Sequence, residues 1–256
     1  MADVADLAIT RGRVATLEIR RPPNNFFDLP LIQELVRAIE DLAADGECRA
    51  VVLCSEGKHF CAGADFRRGE RRPLAQTVGV NFYDVAASLF DQPLPMVAAV
   101  QGAAIGGGLG LALAADFRVA SPEARFSANF ARLGFHQGFG LSVTLPAVVG
   151  QQRALEMLYT GKRVDGEEAA RIGLCDRLVP LADVRDAATS LAAEIAASAP
   201  LAVRSIRQTM RGQLATAVRA ALAREKAEQD RLVQTEDWAE GVRASAERRE
   251  PEFVGR

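Results

Sequence analysis

Apolar positions recur along this chain with two periods. Leu7-Ala8-Ile9 and Val14 to Ile19, separated by Arg11-Gly12-Arg13, predict an opening hairpin. Arg21-Pro22-Pro23-Asn24-Asn25 breaks that pattern. Leu31, Ile32, Leu35, Ile39 and Leu42 then fall on one helical face that ends near Asp45, with Asp28 placed to cap it and Pro30 in its first turn. Arg49 to Ser55, RAVVLCS, is a short unbroken apolar run and predicts a buried strand. Gly57 to Asp65 predicts a loop. An arginine-rich stretch follows from Phe66, and then a helix around Val80 to Leu89.

The longest uncharged stretch lies between Asp91 and Asp116, and the segment from Pro95 onward organises the chain. Met96 to Val100 predicts a buried strand, Gly106-Gly107-Gly108 a tight turn, and Leu109 to Ala115 a buried helix. Glycines let backbone approach something closely, and the free N–H groups of a helix start favour an oxygen that is or becomes negative. A membrane span would be about this long, but five glycines and flanking prolines make poor helix material. No register supplies G-x-G-x-x-G, and Gly110 is followed by Leu111 rather than Lys, so neither a dinucleotide fingerprint nor a P-loop is present. Close helix–strand packing without any ligand is the remaining alternative.

Downstream, Phe117 to Ala120 predicts a strand. Ala124 to Gly140 shows little periodicity and predicts a loop. Helices are expected over Leu141–Val149, Gln151–Tyr159 and Gly166–Ile172, with a short strand near Cys175–Val179. The last quarter predicts helices alone, divided at Pro200, the last one interrupted at Gly241. Strands alternating with helices imply a mainly parallel sheet with helical cover and a helical C-terminal appendage.

Composition narrows the function classes. A chain of 256 residues, about half of them apolar, suits one large α/β domain. Lys+Arg (31) nearly balances Asp+Glu (33), so no global field favours nucleic acid or acidic membranes. Arginines do cluster at Arg67, Arg68, Arg71 and Arg72, and at Arg248 and Arg249, as a solvated face or as contacts for an anionic ligand. Cys48, Cys54, Cys61 and Cys175 lack metal-like spacing and are expected as free thiols in a reducing compartment. The acidic N-terminus has no apolar h-region, so a cytoplasmic, soluble protein without a bound metal or cofactor is expected.

Two segments taken together are more specific than any of these. Gly57-Lys58-His59-Phe60-Cys61-Ala62-Gly63-Ala64-Asp65, followed by Val100-Gln101-Gly102-Ala103-Ala104-Ile105-Gly106-Gly107-Gly108-Leu109-Gly110, resembles the oxyanion-hole pair of the crotonase (enoyl-CoA hydratase/isomerase) superfamily. The resemblance extends through Arg21-Pro22, Leu155 to Gly161, Ala169 to Asp176, and the closing stretch from Glu240-Gly241 to Arg249-Glu250-Pro251-Glu252-Phe253. It implies an α/β fold, a spiral of ββα repeats over residues 1–195 carrying an acyl-CoA site, and a helical region over residues 196–256 that makes a homotrimer or dimer of trimers. It also implies an acyl-CoA thioester as ligand, with coenzyme A present only as part of the substrate. By the resemblance, the backbone N–H groups of Ala64 and Gly107 grip the thioester oxygen. Ala62, Asp65, Phe66 and Arg67 line the CoA strand, and the arginine cluster reaches its phosphates.

The chain departs from the hydratase pattern at both carboxylates. Gly110 and Phe130 stand where the resemblance places the two glutamates, and neither can transfer a proton. A glycine at 110 with an aromatic at 130 resembles the aryl-CoA dehalogenase branch, but Gly138 stands near where its attacking Asp would align. The loop Arg132 to Gly140 offers His136 as a candidate acid/base, or as a histidine that merely bonds a loop carbonyl, with Gln137 beside it. His59 is expected on the surface. Phe130, Leu133, Phe135 and Phe139 predict an apolar pocket for a bulky, branched or aromatic acyl group, Gly110 and Gly138 are expected to border the substrate, and Tyr83 and Glu70 lie in a segment that shapes the pocket in relatives. The expected function is therefore isomerisation, thioester cleavage or another Cα-proton step on an enolate, rather than standard hydration. The alternative is a non-catalytic acyl-CoA binding protein on the same scaffold.

Overall fold

A computed structural model describes residues 6–65 and 81–256. The hairpin forms as β1 (Leu7–Thr10) and β2 (Val14–Ile19), antiparallel with Leu7 opposite Ile19. Helix α1 (Leu29–Asp45) is capped by the Asp28 carboxylate, which accepts from Leu31 N at 3.0 Å, and it stops at Gly46 with φ +76°. Strand β3 (Ala50–Ser55) is buried along its whole length. Helix α2 (Phe82–Ser88), capped by Asn81, leads to β4 (Met96–Val100). A three-residue strand, β5 (Ala103–Ile105), then precedes α3 (Gly107–Ala114).

The chain continues as β6 (Phe117–Ala120), β7 (Arg125–Ser127), α4 (Leu141–Val149), α5 (Gln151–Thr160), β8 (Val164–Asp165), α6 (Gly166–Arg171) and β9 (Arg177–Leu178). It ends with α7 (Val184–Ala196), α8 (Pro200–Leu232) and α9 (Glu236–Glu247).

Two sheets result. The larger has the order β1-β2-β3-β4-β6-β9, parallel except at β1, and the smaller has the order β5-β7-β8. Isolated bridges Cys61–Ala104 and Phe27–Ala64 extend the smaller layer, so β2, β3, β4 and β6 are each followed by an extended piece in the second layer. This is the ββα spiral that the sequence resemblance implied. Alternate residues of each central strand enter different cores. Val52, Cys54, Val97, Ala99 and Val119 meet Ala188, Leu191 and Ala192 of α7, whereas Leu17, Val51, Leu53 and Ala98 face the main core. Helix α8 is tied to the end of α3 by Asp116, which pairs with Arg207 at 3.0 Å and Arg211 at 3.1 Å.

Three sequence expectations need correction. The stretch from Ala124 to Gly140 is not loop alone, since it holds β7 and a short turn of 3-10 helix over Ala131–Leu133. Helix α9 runs unbroken through Gly241. A Cβ there would come within 2.5 Å of the Leu133 carbonyl carbon, so that glycine permits close packing rather than a break. His59 is half-buried, and its Nδ1 accepts from Ala103 N at 3.3 Å. Among the described residues, no helix is long and apolar enough to cross a membrane, and no cluster of His, Cys, Asp or Glu is arranged to hold a metal.

Candidate active site

Two glycine-containing turns meet edge to edge. Cys61 N donates to Ala103 O at 2.9 Å, and Ile105 N donates to Cys61 O at 3.0 Å, which locks the first turn to β5. Contact is so close that a Cβ on Gly108 would lie 2.0 Å from Cys61 O, and one on Gly63 would lie 3.5 Å from Gly107 N. Gly63, with φ +87°, reverses the chain there.

The direction of the two amides follows from their neighbours. Gly63 O accepts from Phe27 N at 3.0 Å, and across a trans peptide the N–H of Ala64 points the opposite way. Gly106 O accepts from Leu109 N and Gly110 N, so the N–H of Gly107, the first residue of α3, points out of the helix N-terminus. Among the described residues neither amide donates to a protein acceptor. Both residues line one cavity, which is therefore edged by two unspent donors and the positive end of α3.

The cavity is apolar and tight. Its volume is about 60 Å³, and its described lining includes Phe27, Phe82, Phe130, Phe135 and Phe139. Phe27 and Phe82 stack at 5.6 Å, Phe139 meets Phe27 at 5.3 Å, and Phe130 meets Phe135 at 5.4 Å. The aromatic residues thus fill the space that a bulky acyl group would need.

Of the sequence-derived site residues, Ala62, Ala64, Gly107, Phe130, Leu133 and Gly138 all line this cavity. Phe66, Arg67, Arg68, Glu70, Arg71 and Arg72 lie outside the described residues, and Asp65 adjoins Ala64 without lining the cavity.

Gly110 and His136 call for correction. Gly110 is buried beneath Phe139, whose Cβ would lie 2.6 Å from any Cβ placed on it, and it does not reach the cavity. His136 does not line the cavity either. Its Nδ1 lies 2.8 Å from Gln137 O, and its carbonyl accepts from Gln229 Nε2 at 2.8 Å. Gln137 donates to Ser142 Oγ at 3.0 Å. The backbone of this loop is turned so that Gly138 and Phe139, not His136, face inward.

Three polar side chains that sequence reasoning weighed lightly or missed do line the cavity: Tyr83, Asn129 and Gln229. The Tyr83 hydroxyl donates to Gln229 Oε1. Burial pushes the Tyr83 phenol well above its ordinary pKa, with Glu225 and Asp230 adding to the shift, so it stays protonated at neutral pH. Burial also drives the Cys61 thiol up to about 12, which leaves it an inert filler behind the first turn. A signal for Gln229 was available. Val218, Leu222, Glu225 and Gln229 share one buried stripe of α8, and two polar residues on such a stripe mark a buried polar contact.

Sequence and fold comparisons relate the chain to known proteins. The enoyl-CoA hydratase/isomerase family model matches residues 10–256. An enoyl-CoA isomerase/hydratase of Zymoseptoria tritici is 34% identical over 266 residues, covering 96% of this chain and 85% of that protein. The 2,3-dehydroadipyl-CoA hydratase of Escherichia coli is 32% identical over 255 residues, covering 99% and 100%. The crystal structure of an enoyl-CoA hydratase/isomerase from Pseudoalteromonas atlantica superposes with a TM-score of 0.88 at 29% identity, covering 97% of this chain and 100% of that one.

Proposed function

The chain belongs to the enoyl-CoA hydratase/isomerase family, and from that premise we propose that it works on an acyl-CoA thioester through an enolate, with the thioester oxygen held by the Ala64 and Gly107 amides and Tyr83 as the group that protonates Cα. The observation that carries this reading is the pair of unspent amides at the edge of one apolar cavity. Enolate formation moves negative charge onto the thioester oxygen. Donors already aimed at that position stabilise the charge without reorganising, and one such donor is typically worth about 3–4 kcal/mol.

A thioester enolate can arise by abstraction of a Cα proton, by addition to a conjugated double bond, or by loss of a carboxylate from Cα. The first route needs a base. Among the described lining residues Tyr83 is the one ionisable side chain, and its raised pKa makes it a poor base. The second needs a nucleophile such as activated water to bond to Cβ, whereas in the third a 2-carboxyacyl ester loses carbon dioxide and the electrons of the broken C–C bond form the enolate, which takes a proton at Cα from the phenol as the phenolate regains one from solvent. No described carboxylate lines the cavity to activate water, which disfavours standard hydration. The rival reading, an acyl-CoA binding protein with no chemistry, is favoured by Gly110 and Phe130 standing at the two glutamate positions. Assembly as a trimer or dimer of trimers belongs to the same proposal, and it is supported by the exposed apolar Leu201, Ile206 and Met210 on α8.

The test is a panel of saturated, 2-enoyl and 2-carboxyacyl CoA esters in deuterated buffer, with binding followed by calorimetry and Cα deuteration by mass spectrometry. The expected result is product deuterated at Cα from a 2-carboxyacyl ester. Tyr83→Phe should bind the same ester yet turn it over at least about 100-fold more slowly. Full activity in Tyr83→Phe would remove the phenol from the mechanism. Tight binding without product from any ester would leave the binding protein, and no binding at all would end the acyl-CoA reading.

A further inference from the structure

Phe139 holds a left-handed backbone conformation, φ +58°, which a bulky side chain adopts only when its surroundings impose it. The surroundings here are specific. On its C-terminal side, the buried Glu225 of α8 accepts from Gly140 N at 2.9 Å and from Ser142 N at 2.9 Å. On its N-terminal side, Gln229, one turn further along α8, donates to His136 O at 2.8 Å. Gly138 lies so near the same Gln229 that a Cβ on it would stand 2.6 Å from Nε2. Helix α8 thus grips the loop on both sides of Phe139.

This clamp aims the ring across the first turn of α3. Phe139 covers Gly110, and its Cδ2 would lie 3.7 Å from a Cβ placed on Gly107, the residue whose amide edges the cavity. The ring is buttressed by Phe27 at 5.3 Å, Phe82 at 6.0 Å and Phe90 at 6.4 Å. An acyl group whose carbonyl sits at the Ala64 and Gly107 amides meets this ring within a few atoms of its carbonyl carbon.

We propose that Phe139 is the back wall that sets acyl length, restricting the site to short acyl groups, and that Glu225 and Gln229 are its positioning residues. The proposal rests on the acyl-CoA reading above. Absence of a side chain at 110 and the ring at 139 form a single steric unit, in which the space vacated by one residue is occupied by the other.

The test uses butyryl-, octanoyl- and dodecanoyl-CoA with the wild-type protein, Phe139→Ala, the milder Phe139→Leu and Glu225→Gln. Affinity is read by calorimetry, folding by thermal melting. The wild type should bind butyryl-CoA in preference to both longer esters. In Phe139→Ala the octanoyl-to-butyryl affinity ratio should rise at least about tenfold, since each added methylene accommodated in an apolar pocket is worth roughly that factor or more. Phe139→Leu should move the ratio the same way by less, and it decides the question if the alanine variant does not fold. Glu225→Gln should also raise the ratio by loosening the loop, and an equal loss for all three esters would remove Glu225 from the proposal. A ratio unchanged in folded Phe139 variants that still bind overturns the inference while leaving the acyl-CoA reading intact. A wild type that binds none of the esters overturns that reading and the inference with it.

Discussion

Gly108 shows how finely the two turns are fitted. A single added methyl group would stand 2.0 Å from Cys61 O and 2.7 Å from its carbonyl carbon, so backbone has to move. Gly108→Ala should lower unfolding stability by at least about 1–3 kcal/mol, the usual range for overpacking a tight interior. It should also weaken acyl-CoA binding, because the displaced turn carries Ala64. Urea denaturation together with calorimetry checks both, and a stable variant that binds normally would show that the turns can part without consequence. At this same scale Gly110 and His136 show what residue identity leaves open. Both stand in a segment that bears on the site, yet Phe139 roofs one and backbone turns the other away.

Among the elements, α1 carries its own start and stop signals. Asp28 accepts from Leu31 N and also pairs with Arg21 at 2.9 Å, and Gly46 closes the far end in the left-handed region. Asp28→Ala should cost about 1 kcal/mol of stability, as loss of a helix cap usually does, with little change in acyl-CoA affinity. Denaturant midpoints and a binding isotherm on the same variant test this. A cap loss that also abolished binding would mean that α1 positions the site more directly than its cap suggests. Helix α8 behaves differently. Its long polar sequence reads as an appendage, yet Asp116 anchors it through Arg207 and Arg211, Glu225 holds the loop after Phe139, and Gln229 lines the cavity. A division of the chain at 195/196 therefore does not separate this cavity from the C-terminal helices. Strands β5 and β7, three residues each, escaped the sequence reading because alternation over so few residues is indistinguishable from loop.

Across the whole molecule, the C-terminus folds back to brace the cavity wall. Glu240 of α9 binds Arg249 and Arg243 and accepts from Glu252 N at 3.0 Å, while Asp237 accepts from Val254 N at 2.6 Å and Gly255 N at 2.9 Å. The same helix packs through Gly241 and Asp237 against Leu133 and Gly134, next to the Phe130–Phe135 wall. Hydrogen bonds from Arg249 first, then from Glu252 N and Arg243, hold the Glu240 carboxyl well below its ordinary value of 4.5. Because the folded value is depressed, this stabilisation is complete above the unfolded pKa and disappears as pH falls toward the folded one. The stability difference between wild type and Glu240→Gln should therefore be largest at neutral pH and shrink below about pH 4.5. Melting temperatures across that range check this, and a difference independent of pH would mean that Glu240 acts by packing alone.

Local pattern alone determined the hairpin, the capped α1, the buried strand at Arg49–Ser55, the strand–glycine–helix unit and the two turns that carry Ala64 and Gly107. These depend on periodicity, caps and glycines that act within a few residues of one another. Tertiary structure alone decided which side chains face the cavity. Tyr83, Phe139 and Gln229 come from α2, the loop before α4, and α8. Their approach depends on backbone direction at Phe139 and on a clamp between residues about 85 positions apart, from Gly140 to Glu225, and no periodicity within a segment encodes such a distance.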